Sequence, residues 1–302
     1  MSDYRKLFLI CDPAMQSTAA FERAAALAKR TGADLHMCLF DHSEAIAAIG
    51  IVDHAGMEQA KQAFVEQRRV SVQRIAADLG AAGIRASAGA AWSRPAHVEM
   101  LAQIGELKPD LVIKDVHHEP LLKRLLFTPT DWHLLRDCTA PLLLVRRGAH
   151  IVPRRIIVAI DPGPYDPQSA AINKRIIDAA LAFALQCDAK VHLAFAFDSA
   201  SAVLATMPGP APMFSIDAYN TLLDTRRRAF DALADERGVP SNRRHFLSGA
   251  PGRAIAEFAA EHETDVIVLG SVHRSRFDRL VMGSTAEQIL EHAPCSVLVV
   301  HP

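Results

Sequence analysis

The sequence feature that most constrains the fold is an internal repeat with a constant spacing of 155 residues. Asp110 and Asp265 stand at this spacing, and so do His118 and His273, without a gap between the two pairs. The same spacing pairs Arg124 with Arg279, Leu125 with Leu280, Thr130 with Thr285, Leu135 with Leu290, Leu143 with Leu298 and Val145 with Val300. Such self-similarity indicates a duplicated unit. We therefore expect two domains of one fold, at residues 1–148 and 155–302, and two copies of any ancestral site.

Within each unit, short apolar runs alternate with segments of helical periodicity. The run Lys6–Cys11 ends at Asp12-Pro13, and the second unit repeats this arrangement with Arg155–Ile160 followed by Asp161-Pro162. Short apolar runs separated by amphipathic helices are typical of buried parallel strands. The pattern predicts two tandem α/β domains, each with a doubly wound parallel sheet that helices cover on both faces.

The periodicity also places the main helices and the irregular segments. Helices are predicted at Met57–Leu79, Thr130–Asp137, Ala170–Gln186 and Ala218–Arg237, and irregular structure is predicted at residues 41–56 and in the proline-rich segment Met207–Pro212. The polar segment Arg146–Arg155, which contains glycine and proline, is predicted to link the two units.

Composition narrows the class of protein. The chain of 302 residues has a formal net charge of −1, which gives no electrostatic argument for binding nucleic acid or an anionic membrane. Its five cysteines form no CxxC pair, which favours free thiols in a reducing compartment over a disulfide framework. The sequence shows no signal-peptide segment and no apolar stretch of membrane-spanning length, so we expect a cytoplasmic protein.

Residues 265–290 carry the clearest functional signal. An apolar strand pattern ends at Gly270, a basic loop follows, and Gly283-Ser284-Thr285 opens a helical pattern. A strand, a loop of small residues and a helix N-terminus together present backbone N–H groups to a phosphate. Gly270 suits a tight turn, Gly283 suits the close approach of a ligand, and Ser284 is predicted to be the N-cap of the helix. Asp161 is expected across the crevice where the strand order reverses.

These runs resemble the universal stress protein family, and especially its tandem, E-type members. The second unit carries Gly270-x2-His273-x9-Gly283-Ser284, against a family nucleotide motif of G-x2-G-x9-G-[S/T]. The first unit carries Phe127-Thr-Pro-Thr-Asp-Trp132-His-Leu-Leu-Arg136, which is similar to the E-type first domain. The resemblance covers nearly the whole chain. It implies a five-stranded sheet in the order 3-2-1-4-5 for each domain, as an open αβα sandwich.

The resemblance also implies an ATP site in the second domain. It implies that Asp161 contacts the adenosine part of the ligand and that Ala196 contacts adenine. The residues implied to surround the ribose and the phosphates are Gly270, Val272, His273, Gly283, Ser284 and Thr285. Arg274, in the loop between the two glycines, is expected to face the phosphate charge. His273 occupies the place of the second glycine in the motif, and we expect this change to weaken binding.

The first unit departs further from the motif. Asp115 replaces Gly270, and Thr128-Pro129 replace Gly283-Ser284. An aspartate repels phosphate and a proline removes an N–H donor, so this unit is not expected to hold ATP in the same way.

The resemblance further implies that the last strands of the two domains, Leu142–Val145 and Ser296–Val300, pair into an internal pseudo-dimer. The sequence leaves open whether the whole chain then forms a homodimer and which protein partners it has. The expected function is that of a regulatory stress-response protein that binds ATP or a related adenine nucleotide with little or slow hydrolysis.

Other interpretations stay open at this stage. The 265–290 loop could bind nothing, with Asp161 merely capping a turn before proline, and the protein would then be a scaffold or a carrier of a metal or apolar ligand. His117, His118 and His133 are candidate zinc ligands, although no fixed ligand spacing supports them. A slow ATPase is a weaker alternative, because no Walker lysine is present. Arg226-Arg227-Arg228 is predicted to lie on a solvated helix face.

Overall fold

A computed structural model describes residues 4–119, 124–148, 150–163, 167–198, 216–271 and 283–301. The strands of the first domain are β1 (Lys6–Cys11), β2 (Asp34–Asp41), β3 (Ala86–Trp92), β4 (Leu111–Asp115), β5 (His117–Glu119), β6 (Arg124–Leu126) and β7 (Leu142–Val145). The strands of the second domain are β8 (Arg155–Ala159), β9 (Lys190–Phe197), β10 (Arg244–Ser248), β11 (Val266–Gly270) and β12 (Ser296–Val300).

The helices alternate with these strands. Those of the first domain are α1 (Ala19–Thr31), α2 (Glu44–Ile49), α3 (His54–Ala81), α4 (Ala96–Leu107) and α5 (Pro129–Asp137). Those of the second domain are α6 (Pro167–Cys187), α7 (Ile216–Glu236), α8 (Pro251–Glu261) and α9 (Ser284–His292). Within the described part of the chain, none of the helices combines the length and the apolar composition that a membrane crossing requires.

Ten strands form one continuous sheet in the order β10-β9-β8-β11-β12-β7-β4-β1-β2-β3. Each half is parallel and has the order 3-2-1-4-5, which confirms the predicted fold class. The two halves meet where β12 runs antiparallel to β7, with Leu143 opposite Leu298. The predicted pairing of the last strands is therefore confirmed. β5 and β6 form a separate two-stranded hairpin that the sequence did not predict.

The repeat is reproduced in three dimensions. Asp110 Oδ2 accepts hydrogen bonds from the N–H groups of Arg5 and Lys6 at 2.9 and 2.8 Å, just where β1 begins. Asp265 Oδ2 accepts from the N–H groups of Arg154 and Arg155 at 2.7 and 3.1 Å, where β8 begins. The two aspartates at the spacing of 155 residues thus anchor the first strand of each domain.

Two layers of apolar side chains lie on the two faces of the sheet. One contains buried residues of α1, α3, α6 and α7, and the other contains buried residues of α4, α5, α8 and α9. Phe8 and Phe183, both fully buried, belong to opposite layers. Each such side chain contributes about 1.5–3 kcal/mol of hydrophobic stabilisation. The helices are therefore held at fixed positions over the carboxyl ends of the strands.

Local side-chain caps explain where the sequence-based boundaries were wrong. Residues 41–56 are not wholly irregular, because Ser43 accepts a hydrogen bond from Ile46 N at 3.4 Å and begins α2. Asp53 accepts from Gly56 N at 2.9 Å and begins α3 earlier than predicted. α5 begins at Pro129, one residue early, and α6 and α7 are also shifted by a few residues at their ends. The segment Met207–Pro212 lies outside the described residues.

Candidate functional site

The candidate site lies at the carboxyl edge of the second-domain sheet. β8 lies between β9 and β11, so the strand order reverses there and leaves a crevice at the strand ends. Asp161 follows β8, Ala196 is near the end of β9, and Gly270 ends β11. α9 begins at the same edge because it connects the end of β11 to the start of β12. The structure thus brings these predicted residues together, whereas Val272, His273 and Arg274 lie outside the described residues.

Asp161 is held from two sides. Its backbone N–H donates to Asn173 Oδ1 at 3.3 Å, and Asn173 Nδ2 donates to its carbonyl oxygen at 2.6 Å. Its side chain is 72% exposed and pairs with Arg226 Nη1 at 3.2 Å. Arg226 is only 21% exposed, so the prediction of a solvated face is wrong for this arginine. The pair places a fixed acidic group, with an adjacent cation, at the rim of the crevice.

Gly270 is required for packing. A Cβ at this position would lie 2.5 Å from Cδ1 and 3.1 Å from Cγ1 of Ile176, and 3.3 Å from Cγ2 of Ile172. Both isoleucines belong to α6, which covers this end of β11. Gly270 is therefore the last residue of β11 and leaves room for α6 to pack, and residues 272–282, which would complete the predicted turn, lie outside the described residues.

Gly283 has no such explanation within the protein. Its backbone is extended, with φ −68° and ψ 150°, which any residue adopts. No atom of the described residues lies within 4 Å of the position that its Cβ would take. Gly283, rather than Ser284, is the N-cap of α9, and no side chain caps this helix. Ser284 and Thr285 are already helical and are exposed, so the predicted role of Ser284 as N-cap is wrong.

Ala196 contributes differently from what its assignment to adenine suggests. It is 4% exposed, and its methyl group belongs to the core layer that α8 and α9 cover. Phe195, its neighbour, points into the other layer and packs edge-on against Phe246. If Ala196 contacts a ligand, the contacting atoms must therefore be those of its backbone.

In the first domain, the corresponding helix N-terminus is closed by the chain itself. Asp131 is fully buried in the first turn of α5, and its Oδ2 accepts hydrogen bonds from the N–H and the hydroxyl of Thr128 at 2.7 and 2.8 Å. Asp131 N in turn donates to Thr128 Oγ1 at 3.2 Å, which completes a capping box. Lys114 Nζ lies 2.8 Å from Asp131 Oδ1 and neutralises the buried carboxylate as an ion pair.

A second carboxylate closes the other helix at this edge. Asp115, the last residue of β4, accepts a hydrogen bond from Ala20 N at 2.9 Å in the first turn of α1. Burial raises the pKa of Asp115 above its ordinary value. The N-termini of α1 and α5, at this edge of the first-domain sheet, therefore both interact with carboxylates of the same chain.

The pair of Lys114 and Asp131 was not predicted, although the sequence contains a signal for it. At the repeat spacing, Leu269 and Ala286 occupy the places of Lys114 and Asp131. Two opposite charges in one copy, at positions that are apolar in the other, indicate a buried ion pair. The pair of Asp161 and Arg226 had no such signal, since the two residues are far apart in the sequence.

The described histidines do not gather around a metal. His133 stacks on His97 of α4 with 3.6 Å between ring centroids, and its Nδ1 lies 3.8 Å from Asp137 Oδ2. Among the residues that the structure describes, no group of three or more His, Cys, Asp or Glu side chains is placed to hold a metal ion. His117 and His118 lie in β5, and their side chains are outside the described structure.

Two cavities lie near the first domain, at opposite edges of its sheet. The cavity beside Cys11, Asp12 and Thr18 has a volume of about 20 Å³, which holds about one water molecule. A groove of about 680 Å³ lies at the opposite edge of the sheet, lined by Arg5, Arg85 and other residues. That groove is remote from the carboxyl ends of the strands, and it does not enlarge the crevice.

Comparison with known proteins agrees with this architecture. The sequence profile of the universal stress protein family matches residues 3–146 and again 153–301. The chain belongs to the universal stress protein family. Its relatives within the family include universal stress protein E of Escherichia coli K12, which is 26% identical over 306 residues, covering 100% of this chain and 95% of the relative. Universal stress protein E of Salmonella typhi is 27% identical over 307 residues, with 100% and 96% coverage.

Solved structures show the same fold over the whole chain. A functionally unknown protein from Pseudomonas aeruginosa PAO1 superposes with a TM-score of 0.76 at 23% identity, covering 99% of this chain and 93% of that one. A universal stress protein from Archaeoglobus fulgidus DSM 4304 has a TM-score of 0.61 at 16% identity, with 98% of both chains covered. These similarities establish the tandem fold, and the chemistry of the site has to be argued from the residues of this chain.

Proposed function

We propose that this stress protein binds ATP or a related adenine nucleotide in the crevice of its second domain, and that the first domain binds none. The observation that carries the proposal is Gly283. Its lack of a side chain is required neither by backbone conformation nor by any contact with a described residue. A glycine of this kind at a helix N-terminus is explained by a ligand that approaches the backbone closely.

Electrostatics supports an anionic ligand at this position. A helix N-terminus carries about half a positive charge and several N–H groups without intrahelical partners. The residues that neutralise these groups in the first domain, Asp115 and Asp131, correspond to Gly270 and Ala286 in the second. A phosphate group would supply the missing negative charge and hydrogen-bond acceptors.

The nucleoside end of the ligand is proposed to lie near Asp161. Its carboxylate is exposed at the rim, is held by Arg226, and accepts hydrogen bonds, as a ribose hydroxyl or the adenine amino group would require. The proposal is limited to binding and does not include hydrolysis.

The test is a calorimetric titration of ATP into the purified protein and into Gly283→Asp. The new carboxylate would cap α9 from the N-cap position, as the side chain of Thr128 caps α5, and it would occupy the place proposed for phosphate. We expect the affinity for ATP to fall about a hundredfold or more, since like charges at close range cost several kcal/mol. The matched control is Gly80→Asp on α3, which adds the same charge at an open glycine of the first domain and should leave ATP binding unchanged.

Release of bound small molecules on denaturation provides an independent measurement. Chromatography of the supernatant should detect an adenine nucleotide from wild type and less from Gly283→Asp. The proposal would be overturned if the folded wild-type protein released no nucleotide and gave no heat with ATP, or if Gly283→Asp bound ATP as wild type does.

A further inference from the structure

A buried pair of polar side chains lies directly beside the candidate site. Ser271 follows the last residue of β11, and His301 follows the last residue of β12. Ser271 N donates to Val300 O at 3.1 Å, which extends the strand ladder by one residue. Ser271 Oγ and His301 Nδ1 are 2.9 Å apart. Ser271 is 1% exposed and His301 is 6% exposed, so the hydrogen bond is sealed from solvent.

The strand pattern places this pair on the face that α9 covers. Ile267 and Leu269 of β11, and Val297 and Val299 of β12, share one core layer with buried residues of α9. Side chains alternate along a strand, so Ser271 and His301 continue that face. α9 begins at the same edge of the sheet. The pair therefore lies on the face of the sheet that α9 covers, at the edge where this helix begins.

One atom of the pair has no partner. Nε2 of His301 is buried and makes no hydrogen bond to any residue in the described part of the structure. Burial lowers the pKa of His301 to about 4, so the ring is neutral near pH 7. When Nδ1 of a neutral imidazole accepts the hydrogen bond of the serine hydroxyl, the ring carries its own hydrogen at Nε2. A buried, unpaired N–H group is costly and calls for an explanation.

The first domain lacks this pair at the matching positions. Val116 N donates to Val145 O at 3.0 Å, just as Ser271 N donates to Val300 O. Val116 and Arg146 thus correspond to Ser271 and His301 at the repeat spacing. The pair is present only in the domain whose helix N-terminus is left without a carboxylate cap.

We propose that His301 contacts the ligand of the second domain, with Nε2–H donating a hydrogen bond to an oxygen of its phosphate chain and Ser271 fixing the ring. This inference rests on the proposed function and extends it to a residue outside the loop that resembles the family motif. Ser271 acts as a positioning residue because its hydroxyl lies 2.9 Å from Nδ1, holds the ring in place and can donate to Nδ1 while Nε2 carries the hydrogen.

Two substitutions of His301 separate its two nitrogen atoms. In His301→Asn, the amide oxygen can replace Nδ1 as the acceptor of the Ser271 hydroxyl, but nothing replaces Nε2. In His301→Gln, the amide nitrogen can reach the position of Nε2. We expect His301→Asn to bind ATP about tenfold more weakly, as the loss of one hydrogen bond to a charged oxygen predicts. We expect His301→Gln to recover most of this loss, and both variants to bind adenosine as wild type does.

Adenosine distinguishes ligand contact from a structural role, since it lacks phosphate. Calorimetry with ATP and adenosine on both variants, with folding checked by circular dichroism, gives the comparison. Equal losses for ATP and adenosine, or no loss of ATP affinity in His301→Asn, would contradict the contact while leaving the proposed function intact. A wild-type protein that binds no ATP would contradict both.

A measurement on the wild-type protein makes the inference independent of any variant. With ¹⁵N-labelled histidine, addition of ATP should shift the Nε2 resonance of His301, whereas addition of adenosine should not. An Nε2 resonance that stays unchanged at saturating ATP would overturn the inference.

Discussion

The N-termini of α5 and α9 occupy equivalent places in the two domains and differ in what neutralises them. α5 begins at a capping box in which the buried Asp131 pairs with Lys114. α9 begins at Gly283, with no side-chain cap and with open space above it among the described residues. A helix start of this kind favours an anion in either case. The duplicated fold can therefore satisfy the same electrostatic requirement with an internal carboxylate or with a ligand.

The difference extends to the residues around the two helices. Lys114, Asp115 and Asp131 correspond to Leu269, Gly270 and Ala286, so all three charges of the first crevice are absent from the second. Gly270 also lets Ile176 pack where Asp115 instead reaches α1. The copy that departs further from the family motif thus carries charged groups that pair with each other or with helix N-termini of the same chain.

The largest expected effect comes from breaking the internal cap. Asp131→Ala would leave Lys114, whose side chain is 15% exposed, without its counterion and would remove the capping box. We expect a loss of about 3–5 kcal/mol in the free energy of unfolding, as for other broken buried pairs. Thr285→Ala, at an exposed first-turn position of α9, should change it by less than about 0.5 kcal/mol. Urea denaturation of both variants measures the difference, and similar small losses would contradict the internal cap.

Acid should reveal His301, the histidine of the second domain that is buried in the described structure. The pKa of His301 in the folded protein is about 4, below that of an unfolded histidine. As the pH falls from about 6.5 towards 4, the unfolded state binds this proton first, so stability is lost over that range. Between pH 7 and pH 4.5, wild type should lose about 2–3 kcal/mol more than His301→Asn. Other titrating groups, including Asp115, are common to both proteins. Equal losses in urea denaturation at the two pH values would refute a buried, neutral His301.

A smaller effect should separate the two glycines of the motif. In Gly270→Ala, the new methyl group would meet Ile176, and we expect a loss of about 1–2 kcal/mol because α6 must shift. In Gly283→Ala, the new methyl group has no described atom within 4 Å, so the free energy of unfolding should change by less than about 0.5 kcal/mol. The affinity for ATP should nevertheless decrease in this variant. Thermal unfolding and calorimetry together test this division. If Gly270→Ala were as stable as wild type, the packing role of Gly270 would be wrong.

Much of the fold followed from the sequence because it depends on periodic patterns. The spacing of 155 residues is reproduced by the matching registers of Asp115 with Val145 and Gly270 with Val300. The order of the strands followed from the family resemblance. Helix ends were less accurate, because single hydrogen bonds such as that from Gly56 N to Asp53 decide them.

The site was only partly predictable. The sequence indicated that the residues around Gly283 would meet Asp161, because both follow strands that end at the same edge. It did not indicate that Arg226 would pair with Asp161, or that His301 would meet Ser271, because these contacts depend on how distant elements pack. Repeat comparison supplies some of this missing information, since a charge or a buried polar group present in only one copy marks a place where the copies differ in function.

The stoichiometry of ATP binding tests the central claim most directly. If one domain is closed by its own carboxylates and the other is open, calorimetric titration of the full chain should give one ATP per chain. Gly283→Asp should then bind none, while Gly80→Asp should still bind one. Two ATP molecules per chain, none for the folded wild type, or one that persists in Gly283→Asp would contradict the account.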